Sequence, residues 1–153
     1  MKRIEVKLSL SVVAPLLDLI KAAVGDLGGR LAAPQHLQDL DEELRTAWQA
    51  DLLGGQNDDC RRFLALFDRE FFMSGTVNFD EANAESALRA CTAIRLQLRG
   101  RELKDLPDEV IEGGGADLTQ LNKTAGKAFM CYVFLATLQE LIIQHLEAAI
   151  LDE

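Results

Sequence analysis

Phe129-Met130-Cys131-Tyr132-Val133-Phe134-Leu135-Ala136-Thr137-Leu138-Gln139-Glu140-Leu141-Ile142-Ile143-Gln144-His145-Leu146-Glu147 decides the fold of this chain. Thr137, Glu140, Gln144 and Glu147 recur at three- and four-residue intervals and form one narrow polar stripe. Phe129, Val133, Phe134, Leu138, Leu141, Ile142 and Ile143 cover the rest of the helix surface. A helix lying on a protein surface shows one apolar stripe and a broad polar back. This one is apolar on most sides, so other helices or a second copy of the chain must surround it. It predicts a bundle with this helix at the centre or in an oligomer interface, with Phe129, Val133, Phe134 and Leu138 as the interface residues. Gln139, Glu140, Gln144, His145 and Glu147 interrupt the apolar run, and their cost at bilayer depth argues against a membrane span.

The helices to surround it are legible upstream. One starts at Ser9 or Ser11, tolerates Pro15 if that residue falls in the first turn, and ends at Gly28-Gly29 with Pro34 beyond. A second, capped by Asp39 or Asp41, carries Leu40, Leu44, Ala47, Trp48 and Leu52 on one face and ends at Gly54-Gly55. Asn57 or Asp58 caps a third, where Cys60, Phe63, Leu64, Phe67 and Phe71 keep strict helical spacing. A fourth starts at Asp80, buries Ala84, Ala87, Leu88, Cys91, Ile94 and Leu98, and places Arg95, Arg99 and Arg101 toward its carbonyl end, where cations favour the helix dipole. Residues 100–117, with Pro107 and Gly113-Gly114-Gly115, read as an exposed loop. The last helical region starts with a capping-box spacing at Asp117-Leu118-Thr119-Gln120 and has a candidate break near Gly126. Ile4, Val6, Leu8 and Leu10 alternate with polar residues as in a half-buried strand, and Thr76-Val77-Asn78-Phe79 is its candidate partner. The expected fold is mainly α: a bundle of about five helices with a minor two-stranded β element, in one domain spanning residues 1–153.

The 153 residues include 25 acidic and 16 basic side chains, a formal charge of −9 that repels phosphate backbones and anionic lipid surfaces. Nucleic acid and membrane are therefore not expected partners. Cys60, Cys91 and Cys131 have neither zinc-ligand spacing nor the even number of a disulfide framework, and the N-terminus meets Glu5 and Lys7 before an apolar stretch develops. Both features point to the cytoplasm.

Local signatures of chemistry are missing. Gly113-Gly114-Gly115 lacks the Lys-Ser/Thr of a phosphate loop and the third glycine of a dinucleotide fingerprint. Ser74-Gly75 has no nucleophile-elbow context. The three cysteines fall on apolar faces, where the thiolate is disfavoured. His36 and His145 stand outside any metal-ligand spacing, and Glu140 with Glu147 reads as part of a solvated stripe. No catalytic residue, metal or cofactor is predicted. The one pointed polar feature is Arg95, Arg99, Arg101 and Lys104, a positive cluster in an acidic chain. It suits dipole compensation and pairing with Glu102, Asp105 and Asp108, or docking of an acidic partner or small anion.

Three segments carry a resemblance: Leu44-Arg45 to Leu53; Val77-Asn78-Phe79-Asp80 to Leu88 with Ala93-Ile94-Arg95-Leu96-Gln97-Leu98-Arg99-Gly100-Arg101-Glu102-Leu103; and Tyr132-Val133-Phe134-Leu135 to Leu138-Gln139-Glu140-Leu141. In content and order they resemble the bacterial family catalogued as domain of unknown function two thousand and seventeen, with Phe134 where the family usually has tryptophan. The resemblance implies a helical fold and no assigned activity. Its frequent genomic neighbour, a Clp-protease adaptor, implies a regulatory or adaptor role. The leading functional expectation is thus a non-catalytic interaction or regulatory module working through a helix face, with a protein partner or as a homodimer. The second is a small-molecule binder or enzyme whose inter-helix pocket draws on distant residues such as Arg95, Arg99, Trp48 and Glu140.

Overall fold

The computed structural model describes residues 3–32, 41–113 and 121–147. The strand reading holds: β1 (Arg3–Lys7) and β2 (Thr76–Asp80) pair antiparallel, with Ile4 opposite Phe79 and Val6 opposite Val77. This register puts the apolar pairs on one face, where Val77 and Phe79 are buried, and the polar pairs, such as Arg3 with Asp80, on the other. A two-stranded ribbon cannot stand alone in water; here its apolar face rests on the helical core.

Helix α1 (Leu10–Leu27) buries Val13, Leu16, Leu17, Ile20, Ala23 and Leu27. It begins at Leu10, so Pro15 lies in the second turn, not the first, and its missing N–H falls opposite the Ser11 carbonyl. The larger departure is α2 (Glu42–Ala65), one helix where two were expected, running through Gly54-Gly55 without a break. Each glycine costs a helix only about 1 kcal/mol relative to alanine. Against that stand the Asp41 cap, which accepts from the Leu44 N–H at 2.8 Å, and the anchoring of the helix after the glycines by buried Asp59, Cys60 and Phe63. The amphipathic series that predicted a helix through Phe71 instead crosses a turn: α2 ends at Ala65, and Asp68 caps the short α3 (Arg69–Ser74) by accepting from the Phe71 N–H at 3.1 Å. Phe63, Phe67 and Phe71 stay together through the turn, edge to face at 5.3 and 5.1 Å.

Gly75 closes α3 with a left-handed φ of 73°, and its carbonyl accepts from the Leu8 N–H at 2.8 Å. Asp80 caps the turn before the next helix rather than the helix itself, accepting from the Ala82 and Asn83 N–H groups, and α4 (Ala84–Gly100) follows with Ala84, Ala87, Cys91, Ile94 and Leu98 buried and Leu88 half-buried. Residues 100–113 are more than an exposed loop. They form a turn and a short helix α5 (Asp108–Gly113) that send Leu103 and Ile111 into the core. Leu103 and Leu106 on the turn and Val110 and Ile111 on the helix are too few for a periodicity to show. Gly114, Gly115 and the Asp117-Leu118-Thr119-Gln120 capping box lie outside the described residues, as do His36 and Pro34.

Helix α6 (Lys123–Ile142), capped by Asn122, runs unbroken through Gly126 and passes into a π-helical turn at Ile143–Glu147. It packs against α1 and α4 with Ala128, Phe129, Cys131, Leu135, Leu138 and Ile142 buried, the central position that its girdle predicts. Lys123–Leu146 is long and apolar enough to cross a membrane by length and composition, with a mean hydropathy of 1.4; in the fold, its apolar side chains form much of the core.

Two glycine substitutions should move stability in opposite directions. At Gly54 an added Cβ meets nothing within 4 Å, so Gly54→Ala should stabilise by roughly 0.5–1 kcal/mol. At Gly75 it would approach the Leu8 carbonyl oxygen to 2.8 Å in a left-handed backbone, so Gly75→Ala should destabilise by about 1–3 kcal/mol. Urea denaturation of the two variants checks both signs.

Candidate functional site

The sequence-predicted cationic cluster does not meet at one spot. The Arg95 guanidinium donates to Gln139 Oε1 at 2.7 Å and the Tyr132 hydroxyl at 3.1 Å and lies 4.5 Å from the Tyr132 ring centre, so it joins α4 to α6. Arg99 donates to the Leu103 carbonyl at 2.6 Å and the Leu106 carbonyl at 2.9 Å and pairs with Asp108, pinning the turn that brings Leu103 inside. Arg101 lies 4.0 Å from Asp26, and Lys104 is exposed. Of the predicted interface residues, Phe129 and Leu138 are buried in the chain's own core, Phe134 is half-buried against it, and Val133 is exposed beside Met130. The bundle thus covers one side of the girdle and leaves Met130, Val133 and Ile143 exposed on the other. Arg95, Arg99, Trp48 and Glu140 are not joined by any hydrogen bond or ion pair among the described residues.

The cysteines are where their spacing predicts. All three are buried, and burial pushes the Cys91 and Cys131 thiols up to about 12 and Cys60 to about 11. Among the described residues no three His, Cys, Asp or Glu side chains gather as a metal site.

A groove of about 660 Å³ lies between α2 and α4, with Leu31 and Ala32 at one end. Two rows at helical spacing make its walls: Leu52, Gly55, Gln56 and Asp59 on α2, and Leu88, Thr92 and Leu96 on α4, with Ala93 in the floor. Polar side chains hold the walls in place. Gln56 Nε2 donates to the Leu27 and Arg30 carbonyls at 3.1 and 2.9 Å, and its Oε1 accepts from the Ala32 N–H at 2.9 Å. One amide thus satisfies three backbone groups past the end of α1, groups that a helix end otherwise leaves unpaired. Arg89 grips Asp59 with two bonds, at 2.8 and 3.0 Å, which raises the Arg89 pKa and locks α4 onto α2. From behind, Gln139 Nε2 donates to the Leu88 carbonyl at 2.9 Å and to the Thr92 hydroxyl at 2.8 Å. At the rim, the hydrogen bond from Arg61 holds the Asp58 carboxyl below its ordinary range, with Arg62 beside it at 2.9 Å.

These contacts engage Gln56, Asp59, Arg89 and Thr92 and leave apolar surface open. Leu96 on the α4 wall is 43% exposed; one turn before Leu52, Trp48 is 56% exposed, and one turn earlier Leu44 is 57% exposed. Scattered apolar side chains on a surface need no explanation, but a contiguous patch with a polar rim marks a binding site. Sequence reading places Trp48 and Leu52 on a face to be buried and misses Gln56 and Arg89 altogether. The only local signal was Leu88, Thr92 and Leu96, spaced by four along the flank of α4's core face.

The sequence model of the family described as Domain of unknown function (DUF2017) matches residues 5–146, nearly the whole chain. The chain belongs to the DUF2017 family. No curated protein and no solved structure matches it. Two of the segments that resemble the DUF2017 pattern meet in space: Arg95 of the first bonds Gln139 of the second, and Gln139 in turn reaches the back of the groove wall.

Two measurements follow. Arg99→Ala leaves the Leu103 and Leu106 carbonyls without their donor and should cost about 1–3 kcal/mol by urea denaturation, whereas Lys104→Ala should fall within about 0.5 kcal/mol of the parent. For the thiols, the folded-state values lie above the ordinary 9.0, so their contribution to stability is complete below pH 9.0 and lost as pH rises toward about 12. At about pH 8 the native protein should resist a disulfide exchange reagent and release three equivalents only when unfolded.

Proposed function

We propose that this protein is a non-catalytic interaction module of the cytoplasm, docking a protein partner on the α2–α4 groove and the apolar stripe that leads into it. The observation that carries the proposal is the continuity of exposed Leu44 and Trp48 with Leu52, Leu88 and Leu96, in walls where Gln56, Asp59, Arg89 and Thr92 are already paired. Aromatic and aliphatic anchors beside a concave apolar surface are the ordinary anatomy of a binding hot spot. The formal charge of −9 supports a protein partner over nucleic acid or an anionic membrane surface. The packing of α6 against α1 and α4 supports its role as a core helix. Self-association through α6 has weaker support, because Phe129 and Leu138 are buried within the chain. A regulatory or adaptor role fits such a module, with the groove as its working surface.

A second reading rests on the groove's size. About 660 Å³ falls within the ~300–1,000 Å³ of small-molecule sites. Native mass spectrometry of the freshly purified protein distinguishes the two, since a stoichiometric small-molecule adduct favours the ligand reading.

The interaction reading is tested by a photo-crosslinking amino acid placed at position 48 or 96 in living cells, with exposed position 21 on α1 as the control. A discrete adduct with another protein is expected from positions 48 and 96 alone. No adduct, or the same adduct from position 21, would end the proposal.

A further inference from the structure

We infer that the groove receives a basic amphipathic helix of a partner protein, about four turns long; this rests on the interaction reading and specifies its occupant. The shape comes first. Two helices running side by side, with side-chain rows at four-residue spacing, form the trough into which a third helix packs by its own i, i+4, i+7 apolar positions. From Leu44 to Asp59 the surface extends roughly 22 Å along α2 at ~1.5 Å per residue, which a partner helix of about 15 residues would match.

The charge comes second. From residue 41 to residue 59 the chain has six carboxylates and one basic residue, Arg45. Asp58 is matched by Arg61 and Arg62, and Asp59 by Arg89. Glu42, Glu43 and Asp51 have no ion-pair partner among the described residues, and Asp51 lines the groove. Asp51 also stands three residues from Trp48, on the same side of α2, so an incoming Lys or Arg finds a carboxylate and an open indole face one turn apart. Basic side chains flanking the apolar anchors complement that field. A second copy of this chain does not, because an isologous dimer sets the same acidic stretch against itself.

Trp48 is the chain's single tryptophan, so its emission reports on the rim of the groove without a label. Three tryptophan-free synthetic peptides of about 15 residues would be titrated at low ionic strength: an amphipathic Leu/Lys helix, its Leu/Glu counterpart, and a scrambled Leu/Lys sequence of identical composition. The Leu/Lys helix should shift Trp48 emission to the blue and bind at least ~10-fold tighter than either control. An added Cβ at Gly55 meets nothing within 4 Å, and the position lines the groove, so Gly55→Leu fills the trough while favouring the helix. This variant should keep the parent's melting temperature or exceed it and lose binding at least ~10-fold, and Asp51→Lys should weaken binding and flatten its salt dependence. Equal binding of the Leu/Lys helix by the parent and Gly55→Leu, or of the Leu/Glu and Leu/Lys peptides by the parent, overturns the inference. So does a dimer of the parent in sedimentation that Gly55→Leu dissolves, which would assign the groove to a second copy. If crosslinks at 48 and 96 capture a partner through a segment that is not basic, the inference fails and the interaction module stands; if they capture nothing, both fail.

Discussion

Burial of α6 is the constraint from which the rest of the structure follows. A helix apolar around most of its circumference needs cover, and α1 and α4 bury its Ala128, Cys131, Leu135, Leu138 and Ile142 side. The ribbon of β1 and β2, too small to stand alone, lays Val77 and Phe79 on the same core. α2 then closes over α4 through Cys60 and Phe63, and the phenylalanine series continues through the turn into α3. The burial of Leu103 and Ile111 extends the core to a segment whose sequence is mostly charged.

The seams of this core are closed by side chains that do two or three jobs each. Gln56 satisfies backbone groups past the end of α1, Arg89 holds Asp59, Gln139 spans Leu88, Thr92 and Arg95, and Arg99 takes two carbonyls of the 103–106 turn. An amide or guanidinium used this way removes the cost of unpaired buried carbonyls. For this reason Arg95 and Arg99, which stand out in the sequence as a positive cluster, are structural fasteners in the fold. It is also why the open surface of the groove is mainly apolar. Among the described residues Glu42, Glu43 and Asp51 on α2 form no ion pair, and Asp51 lines the groove.

Helix existence, the core faces of α1 and α4, the pairing of the two strands and the burial of all three thiols were legible in the sequence, because each depends on a local period that side chains must obey to leave water; on α6 the girdle hid which side faces the core, since Val133 and Ile143 are exposed and Ala128, Cys131 and Leu135 are buried. The β register follows from the match of Ile4 and Val6 with Phe79 and Val77, a pattern two short segments can carry by themselves. Tertiary contacts decided the rest. Gly54-Gly55 is a helix end by local propensity, yet the Asp41 cap before it and the buried Asp59, Cys60 and Phe63 after it outweigh a cost of about 1 kcal/mol per glycine. Phe67 and Phe71 fit one continuous helix by spacing, yet Asp68 restarts the helix after a turn and the rings still touch. The groove unites Leu31, Leu52 and Leu96, residues far apart in sequence, and no local period can announce a surface that exists only once α2 and α4 are packed.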